Sequence, residues 1–213
     1  MSNRRTKGAT TIVLAVAAIC ESHTALAVQP EVGAEVFFDS GVGSDPIVTL
    51  EYTDGTAETM NGGTGVGLRA VGGVKFFRPG SHQLEALGNL GFKVWRMRKA
   101  ENADLKFWRF PLELLVFYRN DSAYLRAGGG LTYHTSVATD GSGAASDLSL
   151  DFKPALGYVL QADLIFGVWN FGPRYVWINY RPQGIPVDIA ANYVGVQLGC
   201  SYDFSKHRRR SHR

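Results

Sequence analysis

The residues best suited by type to covalent chemistry are His134 and Ser136, in the run Tyr133-His-Thr-Ser136. Two apart, they fall on one face of an extended strand. There an imidazole can take the proton of a serine hydroxyl and make it a nucleophile. An acid should orient the imidazole, and Asp140 and Asp147 stand downstream. A rim histidine hydrogen-bonded to a loop fits the same residues and is the blander, commoner outcome. His82 lies beside a turn, and His207 and His212 lie near the C-terminus, so no metal-ligand cluster is expected. There is no P-loop, dinucleotide fingerprint or Cys-x-x-Cys, and no cofactor is expected.

A second set of chemically capable side chains is larger and of mixed sign: Glu35, Asp39, Arg69, Lys75, Glu85, Lys93, Arg109, Glu113, Arg126, Lys153, Asp163 and Arg174. Each falls in a segment whose alternate positions are apolar. If the apolar face met lipid, the charges would lie on the other side, since an Arg or Lys facing lipid at mid-depth costs about 2–4 kcal/mol. Turned inward, they can pair across a narrow interior as structural glue. A proton or ion path is the sharper use of the same residues.

The elements that must position these residues are strands. The clearest is 192–204. Val194, Val196, Leu198, Cys200, Tyr202 and Phe204 alternate with Tyr193, Gly195, Gln197, Gly199, Ser201 and Asp203. A transmembrane strand needs about 9–11 residues, and the same alternation is legible at 32–39, 65–77, 82–95, 107–118, 123–134, 151–165 and 169–180. Connections run long, short, long, short, long, short, long. That rhythm and an even strand count are the mark of extracellular loops and periplasmic turns, with both chain ends on the turn side. The segments Ile47–Tyr52 and Thr56–Met60 flank Thr53-Asp-Gly55 as a hairpin. It reads as an extramembrane extension, because Thr56–Met60 offers lipid no apolar face; two further barrel strands are the other possibility. Residues 96–106 read as a charged loop and 135–150 as a Gly/Ser/Ala/Asp loop.

Composition sets the outer bounds. The chain has 213 residues, enough for one domain, with 25 glycines and 19% charged residues. Arg4, Arg5 and Lys7, then an apolar run over 12–20, then Ala25-Leu-Ala27, form a secretory signal peptide over residues 1–27. Its removal would lower the formal charge of +3 by two and leave Cys200 as the single cysteine, so no internal disulfide is expected. Residues 205–213 form a basic tail with Lys206, Arg208, Arg209, Arg210 and Arg213. Such a run can bind anionic headgroups or nucleic acid. No nucleic-acid fold accompanies it, so solvated disorder is expected and a nucleic-acid partner is not.

Taken together, the signal peptide, the alternation, the loop rhythm and the closing Gly195-Val-Gln-Leu-Gly-Cys-Ser-Tyr-Asp-Phe204 resemble small eight-stranded outer-membrane barrels of the OmpA/OmpX type, in the broad outer-membrane β-barrel family. The resemblance spans residues 31–204. It implies an all-β, eight-stranded antiparallel up-and-down transmembrane barrel over 28–204, lodged in outer-membrane lipid and lipopolysaccharide. It also implies that the barrel assembly machinery reads the last strand, although here the chain continues past Phe204. Separately, His134-x-Ser136 resembles the His-x-Ser pair of outer-membrane lipid A deacylases. The expectation is a non-enzymatic barrel with a plugged, charge-lined lumen and a structural or surface-interaction role for its loops. A lipid A-modifying enzyme and a narrow pore or small-ligand carrier are the alternatives.

Overall fold

A computed structural model of the chain describes residues 28–203, apart from 52–54, 77–79, 101–102 and 144. The expected signal peptide, the basic tail and Phe204 lie outside the described residues. The strands are β1 (Gln29–Ser40), β2 (Pro46–Glu51), β3 (Ala57–Asn61), β4 (Gly65–Phe76), β5 (His82–Ala100), β6 (Ala103–Asn120), β7 (Leu125–Gly143), β8 (Leu150–Phe152), β9 (Ala155–Phe166), β10 (Trp169–Tyr180), β11 (Ile189–Ala190) and β12 (Tyr193–Asp203). Eight of them close a ring: β1 pairs with β4, then β5, β6, β7, β9, β10 and β12 follow, and β12 returns to β1. Every pairing is antiparallel. Closure leaves no sheet edge, which is what lets strands cross a membrane. The β2–β3 hairpin is a separate two-stranded sheet, so the barrel has eight strands and not ten.

Outward positions are apolar over much of the wall: Val36, Phe38, Leu68, Leu90, Leu114, Leu131, Leu160, Phe171 and Leu198 are exposed. Alternation continues further than expected toward the long-loop end. β5, β6 and β7 run 19, 18 and 19 residues, well beyond the length a bilayer needs. Most of the stretches read as loops at 96–106 and 135–150 are therefore paired strand. Their polarity is inverted. Arg96, Lys106 and Asp140 point out, whereas Met97, Leu105, Phe107 and Val137 point in. Above the lipid, water wets the outer wall and the interior must be apolar, as in a soluble barrel. Charged outward residues there imitate a loop to a reader who expects lipid on that face.

The same inversion corrects Lys153, which is exposed and not in the lumen. Phe152 points inward and Asp151 outward, the reverse of what regular alternation over 151–165 gives. From Phe152 to the next inward residue, Ala155, is three positions and not two, across Lys153-Pro154, which lie between β8 and β9. One extra residue flips every side chain to the other face. Tyr124, which regular alternation over 123–134 would turn inward with Arg126, lies exposed in a turn with φ 54°, and β7 starts just after it.

The long connections are tied to one another. The Asp45 amide donates to Ala190 O at 2.7 Å, and the Ala190 amide donates to the Asp45 carboxylate at 2.9 Å. The Lys153 amide donates to Arg181 O at 2.9 Å, and the Gln183 amide to Asp151 O at 2.8 Å. Arg181 Nε and Nη2 grip the Asp188 carboxylate at 2.7 and 2.6 Å. Those hydrogen bonds hold the Asp188 carboxyl below its ordinary value. A depressed carboxyl pKa means the tie is whole above the ordinary value and is lost as pH falls through the lowered one. Arg181→Gln should raise the Asp188 pKa toward the ordinary value in a carbon-13 NMR titration. An unmoved titration would show that Arg181 does not hold it.

Candidate functional site

The interior is organised in three layers. Nearest the short turns, Lys75 Nζ lies 2.7 Å from Glu31 Oε2. Arg126 bridges Asp163 at 2.7 Å and Glu85 at 3.4 Å, with its guanidinium 4.6 Å from the centre of the Phe117 ring. Arg119 reaches Glu85 at 3.2 Å and Asp121 at 2.6 Å. Gln161 and Gln197 donate to Asp163 at 3.0 and 2.8 Å.

At mid-height Glu113 is the hub. Its Oε2 accepts from Arg69 Nη1 at 2.9 Å and Asn89 Nδ2 at 3.0 Å, and its Oε1 accepts from Arg174 Nη2 at 2.6 Å. Arg69 also donates Nε to Glu35 at 2.6 Å and Nη2 to Gln197. These side chains come from β1, β4, β5, β6, β10 and β12, so the pairs cross the lumen as well as following the wall. All are buried.

Toward the long-loop end, Lys93 Nζ lies 2.6 Å from Asp39 Oδ2 and 3.5 Å from the centre of the Tyr193 ring. Above this pair the interior is apolar and aromatic. Phe107, Phe152 and Tyr180 meet at 6.0–6.1 Å between ring centres, with Met60, Met97 and Leu105 beside them in one buried cluster.

Of the charges expected in the lumen, Glu35, Asp39, Arg69, Lys75, Glu85, Lys93, Arg109, Glu113, Arg126, Asp163 and Arg174 are all buried inside; Lys153 alone is outside. Glu31 escaped the sequence reading because β1 was started at Val32, although Glu31 continues the period of Glu35, Phe37 and Asp39. Arg119 lies beyond the segment 107–118 that alternation marks and is the penultimate residue of β6. The amides Asn89, Gln161 and Gln197 serve the network as donors, and Gln197 also as an acceptor from Arg69, a role that alternation located without specifying.

His134 and Ser136 do not share a face. Arg109 pairs with Val137 but Pro111 pairs with His134, so Phe110 alone faces Thr135 and Ser136. That is a β-bulge, adjoining a proline that has no amide to give the ladder. Across it the inward positions are His134 and Val137, three apart. His134 is fully buried, and its Nδ1 lies 2.6 Å from Tyr180 Oη. Ser136 is half-buried and lies in strand β7, not in a loop. The imidazole is thus engaged by a phenol inside the barrel and not by the serine. Among the described residues no cluster of three or more His, Cys, Asp or Glu could hold a metal ion.

Neither a family model nor a curated protein matches the sequence. Among solved structures, the chain is similar to Neisserial surface protein A, at 10% identity and TM-score 0.43, covering 82% of this chain and 97% of that one. Ail, the attachment invasion locus protein of Yersinia pestis, shares 12% identity at TM-score 0.43, covering 83% and 97%. The outer membrane protein AlkL in lipid bilayers shares 14% at TM-score 0.32, covering 83% and 90%. With its closed ring of eight antiparallel strands, an apolar outer wall and a charged interior, the chain is a small outer-membrane-type β-barrel.

Proposed function

We propose that this chain is a non-enzymatic outer-membrane protein whose lumen is closed and whose interlocked long connections form an extracellular platform for a structural or surface-interaction role. One observation carries the reading. Ion pairs cross the lower two layers of the interior, and a buried aromatic and aliphatic cluster lies above them. A barrel of eight strands is just wide enough for side chains to fill. Its partners on this reading are outer-membrane lipid, lipopolysaccharide and, during insertion, the barrel assembly machinery that would read β12. Residues 1–27 act as the export signal.

The test is electrical and electrophoretic. Refolded protein should migrate differently on a gel before and after boiling, because a closed barrel resists SDS until heated. In planar bilayers it should give no large, steady conductance. Identical migration with and without heat would sink the membrane assignment, and a wide open channel would sink closure. Lipid A from cells making wild-type or Ser136→Ala protein should have the same mass; an acyl chain lost only with wild type would restore the deacylase alternative.

A further inference from the structure

Arg109 stands apart from every other lumen cation. Its side chain is fully buried, yet among the described residues no carboxylate lies within ion-pair distance of it. Its Nη1 donates to Gly62 O at 2.5 Å and its Nη2 to Thr64 O. Its Nε is buried without a partner. Lys93 Nζ, already matched by Asp39, donates to the carbonyl between those two, Gly63 O, at 2.6 Å. The Phe107 ring face lies 4.4 Å from the guanidinium, but neither the ring nor the carbonyls carry a charge, and burying a charge demands an opposite one.

We infer that Arg109 and Lys93 form an oxyanion-binding site inside the barrel, beneath the aromatic cluster of the long-loop end, kept shut by the carbonyls of Gly62, Gly63 and Thr64 acting as an internal stand-in for the ligand. Three successive carbonyl oxygens on two cations imitate the oxygens of a sulfate or phosphate group, without its charge. The two cations and Asp39 leave one net positive charge, which a charged oxyanion would neutralise and a carbonyl cannot. The fold makes room for this arrangement at Gly65, where a Cβ would lie 2.8 Å from both Arg109 Nη2 and Lys93 Cε.

The arm that covers the site belongs to the first long connection. It leaves β3 at Asn61 and enters β4 at Gly65, and its apolar anchor is Met60, fully buried in the upper cluster. It fits only because it is bare: a Cβ on Gly63 would lie 2.4 Å from Asn192 O and 2.7 Å from Tyr193 Cβ. The site lies inside the ring at the long-loop end, away from the lipid face. The group therefore arrives from solution, as a free oxyanion or as the oxyanion group of a soluble molecule. The inference rests on the closed-lumen reading.

The probe is inorganic sulfate, titrated into the refolded full chain at constant ionic strength, with binding read by calorimetry and by the amide NMR signals of Gly62 and Gly63. Gly63→Ala should push the arm out and free the site. Affinity scales with the competent fraction, so this variant should bind sulfate at least about tenfold more tightly than wild type. Met60→Ser, which loosens the arm from its anchor without a clash, should act in the same direction and serves if Gly63→Ala does not fold. Adding Arg109→Gln to either variant should abolish the gain. Sulfate binding that is equal in wild type and in a folded arm variant, or indifferent to Arg109→Gln, overturns the inference. A barrel that stays closed in bilayers but ignores sulfate defeats this inference alone; a wide-open wild-type channel defeats the closed-lumen reading.

Discussion

Replacing Glu113 by alanine is expected to lower the unfolding free energy by about 3–5 kcal/mol, the usual cost of removing one partner from a buried ion pair. Glu113 holds two guanidinium groups at once, Arg69 at 2.9 Å and Arg174 at 2.6 Å. Arg69 keeps Glu35 at 2.6 Å after the change. Arg174 keeps nothing comparable: its Nε and Nη1 are buried without hydrogen-bond partners among the described residues, and Glu113 is its carboxylate. The penalty is therefore an orphaned charge inside the wall more than a lost contact. Urea unfolding from lipid vesicles, followed by tryptophan fluorescence, measures it. Adding Arg174→Met to Glu113→Ala should recover part of the loss, since it removes the orphaned buried charge. Lys153→Ala, at an exposed position outside the lumen, should change almost nothing. A Glu113→Ala loss under about 1 kcal/mol, the range of exposed pairs, would remove Glu113 from the centre of the network.

Leu114 sits one residue along the same strand and faces the other way. It is 61% exposed, and β6 ends six residues later at Asn120. At about 3.4 Å per residue and a tilt near 40°, that puts Leu114 about 15 Å above the turn end, close to the middle of a bilayer. Leu114→Arg should cost about 2–4 kcal/mol. Leu125→Arg, where β7 begins opposite Asn120, should cost about 0–1 kcal/mol, because the interface is wet. Neighbouring residues on one strand would then fail for opposite reasons: Glu113 because its charge is needed inside, Leu114 because charge is refused outside. Equal costs at Leu114 and Leu125 would mean that this wall does not face lipid.

How far the chain could be read depends on which solvent each segment meets. Within the lipid-spanning part, period-two alternation assigned the faces of β1, β4, β5, β6, β10 and β12 correctly, because lipid outside and charge inside leave no other arrangement. Above the lipid the same rule gives the wrong face. Arg96, Lys106 and Lys153 were read as loop or lumen residues because charge was equated with the interior, but beyond the bilayer the outer wall meets water. Phe152 falls in step with the outward Leu156 on regular alternation, and the extra residue at Lys153-Pro154 is what turns it inward. His134 and Ser136 show a second kind of limit. Spacing can place two residues on one face only while the strand is regular, and the bulge opposite Phe110 is a property of the pairing with β6.

By itself, the sequence determined that this is a strand-built barrel with an apolar wall and charges of both signs turned inward, since every alternating segment repeats that pattern independently. Only the tertiary structure decided which charges meet. Glu113 with Arg69 and Arg174, Arg126 with Asp163, and Arg109 with backbone carbonyls and no carboxylate all depend on register across strands far apart in the chain. No local period encodes that register. Ring closure sets it, because eight strands must share one narrow interior.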